Sequence, residues 1–201
     1  MNVQTNAKAK AAAKPKEPVF KTPYEKAAGI YVALMGLSAL LIPADILQAH
    51  SWAVEFTDFM AAWVPQIDLI SSLGIRPELN RFYYSLLWAM SPGLFVLCCL
   101  MSWEARQRSF PLWNMPLQKA IVLALVTGLV IYAASHGGWI TNANNGVIRF
   151  ILSNRLAMGC LGNIFYVSAP VMAAGGLFVL VAGWLSGEIP RHIRRGTEGE
   201  H

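Results

Sequence analysis

Two histidines and one carboxylate are the side chains of this sequence best placed to do chemistry. His50 and His136 each fall at the end of an apolar stretch. If those stretches cross a membrane, the two imidazoles lie at one depth on two helices, where a pair can ligate haem iron or another metal. Haem ligands in membrane bundles usually sit inside the span, whereas these lie at its outer end, so polar capping at the membrane surface is the competing reading. His192 and His201 fall in a basic C-terminal tail and read as solvated. Asp45 is the only acidic residue within one of the apolar stretches. A carboxylate held in a bilayer is a functional candidate by default, because its charge is costly to bury. It follows Pro43 near the end of its stretch, so it can also reach water and serve as a helix-end residue. No second carboxylate or buried Lys or Arg completes a conduction path with it.

Other catalytic constellations are missing from the sequence. There is no GxSxG, HExxH or phosphate-binding Gly-rich loop with its Lys. Cys98, Cys99 and Cys160 form no CxxC or Cys/His spacing, and read as small polarizable packing residues. Asn142, Asn144 and Asn145 beside Gly146 read as loop chemistry. The expectation is therefore a chain that is not an enzyme and carries no cofactor. The alternatives are a small transporter using Asp45 or a haem-bearing electron-transfer subunit using His50 and His136.

The composition says what must hold these residues. Of 201 residues, 55% are hydrophobic and only 13% charged, with mean hydropathy +0.44. Soluble domains carry charge at about 25%, so soluble enzymes and nucleic-acid-binding domains fit poorly, and no direct nucleic-acid binding is expected. The net charge of +5 sits in short basic runs between apolar segments, as in a membrane protein with basic loops. Four segments reach the ~20 residues that a bilayer core demands: about 27–48, 82–103, 116–135 and 156–186. The second carries a Ser91-Pro92-Gly93 break and the last contains Pro170. The fold class expected is an all-α polytopic membrane protein of four transmembrane helices.

Charge sets its orientation. Residues 1–26 form a basic, disordered tail containing Lys8, Lys10, Lys14, Lys16, Lys21 and Lys26, suited to anionic lipid headgroups. Arg106, Arg108 and Lys119 flank the second connection, and Arg191, Arg194 and Arg195 occupy a second basic tail, 187–201. The first and third connections hold only Arg76, Arg81, Arg149 and Arg155. The positive-inside rule then puts both termini in the cytoplasm.

The first outer loop has a pattern of its own. Phe56, Phe59, Met60, Trp63, Val64, Ile67 and Ile70 recur at three- and four-residue spacing, with Glu55, Asp58, Gln66 and Asp68 elsewhere on the wheel. This predicts an amphipathic helix over about 54–73, bent or interrupted at Pro65. It either lies on the outer membrane surface or packs against the bundle or a partner subunit; its acidic residues disfavour anionic headgroups. Phe56, Phe59, Trp63 and Ile67 are the expected outer contacts, and Arg191, Arg194 and Arg195 the inner contacts with lipid headgroups or an acidic partner. Small residues at four-residue spacing, Ala120, Ala124 and Gly128 on the third span and Ala169, Ala173, Gly183 and Gly187 on the fourth, predict close helix approach.

The stretch Gly187-Glu188-Ile189-Pro190-Arg191-His192-Ile193-Arg194-Arg195-Gly196, followed by Glu198, resembles the end of a family of inner-membrane proteins carried on integrating conjugative elements and some plasmids. There, a last apolar helix precedes Asp-Gly, an Arg-acidic-Leu/Ile-Arg-Arg run and a Gly-rich stretch. Asn154-Arg155-Leu156-Ala157 is also similar, and the likeness covers about 45 residues. Ser186 stands in place of the family's Asp and His192 in place of its acidic residue, and the family's sequence runs on further. The resemblance implies a part in conjugative DNA transfer with no assigned catalytic activity. Together these features predict a non-enzymatic integral subunit or accessory factor of a larger inner-membrane complex, with a conjugative or secretion apparatus as the candidate machine.

Overall fold

The computed structural model describes residues 22–105, 117–136 and 146–187, and every element among them is helical. The helices are α1 (Pro23–Leu41), α2 (Ile46–Ala49), α3 (Ser51–Trp63), α4 (Gln66–Leu73), α5 (Pro77–Ala105), α6 (Leu117–Ser135), α7 (Gly146–Ser153) and α8 (Arg155–Leu185). Two of them, α5 over Pro77–Glu104 and α8, are long and apolar enough to cross a membrane.

Local chemistry sets the boundaries. Thr22 accepts from the Glu25 amide while the Glu25 carboxylate accepts from the Thr22 amide, and Pro23 opens α1 with its φ already helical. Prolines end helices by driving the preceding residue out of the helical region. Ile42 before Pro43 is extended, and Val64 before Pro65 has φ −129° and ψ 85°. The first apolar stretch, expected as one span to residue 48, is therefore divided into α1 and the short α2. The outer-loop stretch likewise forms two helices, α3 and α4. Asn154 caps α8 by accepting from the Leu156 and Ala157 amides, which separates α7 from it.

Pro92 does not break α5, contrary to the expectation. Its missing N–H orphans the Trp88 carbonyl, and the Ser91 hydroxyl donates to that oxygen at 2.7 Å. Tyr31 of α1 donates to the Met90 carbonyl at 2.9 Å, an approach that Gly93 permits: a Cβ there would lie 2.5 Å from the Tyr31 oxygen.

Helix α5 is the central post, packed against α1, α2, α3, α4 and α8, while α6 lies along the second half of α8. Met35, Ile67, Ile70, Tyr83, Tyr84, Leu87, Leu94 and Val167 fill the core between them. The first half of α8 contains two π-helical segments, 158–162 and 164–168, in which the Asn163 and Ala169 amides each donate to a carbonyl five residues back, on Met158 and Ile164. This wider stretch crosses α1 at close range. A Cβ on Gly36 would meet the Gly159 carbonyl at 2.6 Å, and one on Gly159 the Gly36 carbonyl at 2.5 Å. Farther along α8, Gly175 admits Cys98 of α5. On the expected small-residue faces, Ala120 and Gly183 are buried where α6 meets α8, but Gly128 faces open space and Ala169 and Ala173 are exposed. Close helix approaches use Gly36, Gly159 and Gly175 instead.

Candidate functional site

Helices α3 and α4 form a cap over the beginning of α5. Helix α3 turns Ala53, Thr57 and Ala61 inward, and these small side chains let it lie close on α5. Phe56, half-buried, meets Phe82 edge-on at 5.8 Å, and Trp52 meets the same ring at 5.7 Å. The opposite face carries Glu55 beside two large exposed aromatics, Phe59 at 62% and Trp63 at 75% exposure, with ring centroids 6.5 Å apart.

Arg81 of α5 pins the cap. Its Nη1 lies 2.7 Å from Asp58 of α3 and its Nε 2.9 Å from Asp68 of α4, while Nη1 also donates to the Thr57 hydroxyl at 3.4 Å. One planar guanidinium thus ties three helices together, using donors on different edges that a lysine ammonium does not offer. In the sequence Arg81 counted only as an outer-loop charge. The signal that could have found it is the pair of acidic residues flanking Pro65, each of which needs a cation once the chain turns back on itself.

The four expected outer contacts divide accordingly. Phe59 and Trp63 are presented outward and Phe56 partly so, but Ile67 is fully buried, packed in the core, and offers no contact surface. Gln66, expected on the polar side, is also fully buried, with neither amide atom hydrogen-bonded. The break at Pro65 is the reason: α4 starts a new helical phase, so a wheel drawn through both helices assigns its faces wrongly. Asn80 and Tyr84 of α5 are buried with it. Asn80 donates to the Leu152 carbonyl at 3.4 Å, and the Tyr84 ring lies between Tyr83 and Tyr166.

The other candidates are dispersed. Asp45 is exposed at the turn between α1 and α2, where its carbonyl accepts from the Gln48 and Ala49 amides. His50 is exposed and stacks on Trp52 at 6.0 Å; His136 is exposed and stacks on Tyr132 at 4.2 Å, at the end of α6. No cluster of three or more His, Cys, Asp or Glu side chains with metal-binding geometry occurs among the described residues. Arg191, Arg194, Arg195 and the lysines at 8–21 lie outside the described residues. No family model, curated protein or solved structure matches this chain.

Proposed function

We propose that the chain is a non-enzymatic integral subunit or accessory factor of a bacterial inner-membrane complex, docking to its partner through the α3–α4 cap. In this reading α1, α5, α6 and α8 are the four spans, both termini are cytoplasmic and the cap lies on the outer surface. Support for the bilayer comes from the apolar residues turned outward: Leu34 and Leu37 on α1, Leu125 and Leu129 on α6, Phe165 and Phe178 on α8. Soluble monomers rarely carry so large an apolar surface. The observation that carries the docking role is the exposed Phe59–Trp63 pair on a helix held rigid by Arg81. Aromatic anchors on a preorganised surface are typical protein hot spots, and the exposed Glu55 beside them favours a basic protein surface over anionic headgroups. A conjugative or secretion apparatus is the candidate complex, with Arg191, Arg194 and Arg195 as its inner contacts. The exposed positions of Asp45, His50 and His136 lend no support to the transporter or haem-carrier readings.

The test is affinity purification from native membranes in gentle detergent, with mass spectrometry of co-eluting proteins. Stoichiometric partners should appear with the parent chain and vanish with the Phe59→Ala/Trp63→Ala double variant. Absence of partners, or partners equally retained by the variant, would refute the docking role. Cysteine-accessibility labelling of Asp45→Cys from outside and Thr197→Cys from inside checks the orientation, and the opposite pattern overturns it.

A further inference from the structure

The seam between α1 and α8 is open on its outward side. The two helices run antiparallel in a regular register: Asn163 donates to the Val32 carbonyl at 2.9 Å, Gly159 abuts Gly36, and Arg155 donates to the Leu40 carbonyl at 3.3 Å. Each step of four residues back along α8 matches four residues forward on α1. Because Gly36 and Gly159 hold the backbones together while Gly29 and Ala33 add little bulk, a groove of about 400 Å³ remains along the seam. Leu37 and Leu40 form one wall, and Leu156 and Ile164 the other.

Polarity within this groove is confined. Besides the Cys160 thiol, the polar side chains lining it are Asn163 and Arg155. Asn163 is committed to Val32 and to the Ser168 hydroxyl, 2.8 Å away. Arg155 sits at one end, and its described hydrogen bond uses one of five guanidinium donors. No carboxylate pairs with it among the described residues. From Leu40 to Gly29 the groove follows eleven residue steps of helix, about 16 Å, which matches half of a ~30 Å bilayer core.

From this juxtaposition of a one-leaflet apolar groove and a guanidinium at its mouth that pairs with no carboxylate among the described residues, we infer that the α1–α8 seam binds one phospholipid, with an acyl chain along the groove and its phosphate on Arg155. The inference rests on the membrane reading above. It requires the Arg155 end to face the outer surface, as the proposed orientation has it. The residues have separable tasks: Arg155 holds the phosphate by charge-assisted hydrogen bonds, and Ala33 keeps the groove wide enough for a chain.

Native mass spectrometry of the full chain tests it, after carbonate washing of the membranes and extraction in detergent with palmitoyl-oleoyl phosphatidylglycerol as the added probe. The parent chain should keep one phospholipid under conditions that strip the rest. Arg155→Gln should lower its occupancy about tenfold through lost charge-assisted bonds, and Ala33→Phe by a similar factor through occlusion. Leu125→Phe on α6 should leave it unchanged. A carbonate-resistant chain with no retained lipid, or with retention equal in all variants, overturns the lipid site alone. A dimer dissociated by Ala33→Phe would overturn it too, by giving the groove to a second copy. A chain released by carbonate refutes the membrane reading beneath both.

Discussion

Replacing Arg81 by glutamine should release the α3–α4 cap without unfolding the bundle. Partly exposed ion pairs contribute about 0.2–1 kcal/mol each, and Arg81 makes two, at 2.7 and 2.9 Å, with Asp58 and Asp68 more than half exposed. The weaker bond to Thr57 adds about 0.5 kcal/mol. The total of about 1–2 kcal/mol corresponds to a factor of roughly 5–30 in the equilibrium for local opening. Hydrogen–deuterium exchange in detergent micelles reads this directly: amides over 54–73 should exchange faster by that factor, while those of 169–185 stay as in the parent chain. Arg81→Lys should fall between, because one ammonium cannot span both carboxylates in the geometry the guanidinium uses. Unchanged exchange over 54–73 would falsify the clamp, and equal acceleration in α8 would show Arg81 to be a general stabiliser instead.

Three further substitutions separate contact surface from core. Ile67→Ala should cost about 2–5 kcal/mol of stability by leaving a cavity, whereas Phe59→Ala and Trp63→Ala should each stay within about 0.5 kcal/mol; thermal melts monitored by circular dichroism compare them. Asn163→Ala strands the buried Ser168 hydroxyl and frees the Val32 carbonyl, so it should cost about 1–3 kcal/mol, and Ser168→Ala in the same background should recover part of the loss. Gly36→Val forces a side chain against the Gly159 carbonyl and should cost about 1–3 kcal/mol by overpacking, detectable as an earlier unfolding midpoint in a denaturant titration.

Sequence pattern carried the helical class and the positions of the two longest apolar helices, because composition and hydropathy act over twenty residues and survive local irregularity. It also marked Phe59 and Trp63 as one exposed stripe, since both lie on α3 before any interruption. Ile67 and Gln66 were misassigned because Pro65 resets the helical phase. Pro92 looked like a break because its rescue depends on the Ser91 hydroxyl turning back onto the Trp88 carbonyl, which hydropathy and spacing do not register. Arg81, with its two aspartates, was hidden because its role exists only once three helices converge. The groove beside Arg155 was not legible, because the four-residue spacing of Gly29 and Ala33 does not say which helix comes to lie beside them.

The contacts that register α1 on α8 also constrain how the protein is made. Asn163 and Val32 are 131 residues apart, and at a synthesis rate of about 5–20 residues per second their pairing waits roughly 7 to 26 s. Throughout that interval the glycine-lined face of α1 has no mate, although α1 and α5 can already associate through Tyr31 and Met90. The nascent chain thus passes through a half-built bundle with one open seam. An insertion-assisting factor would find its opportunity there, and a chain cut short before α8 would be recognisable for degradation by the same unfilled face.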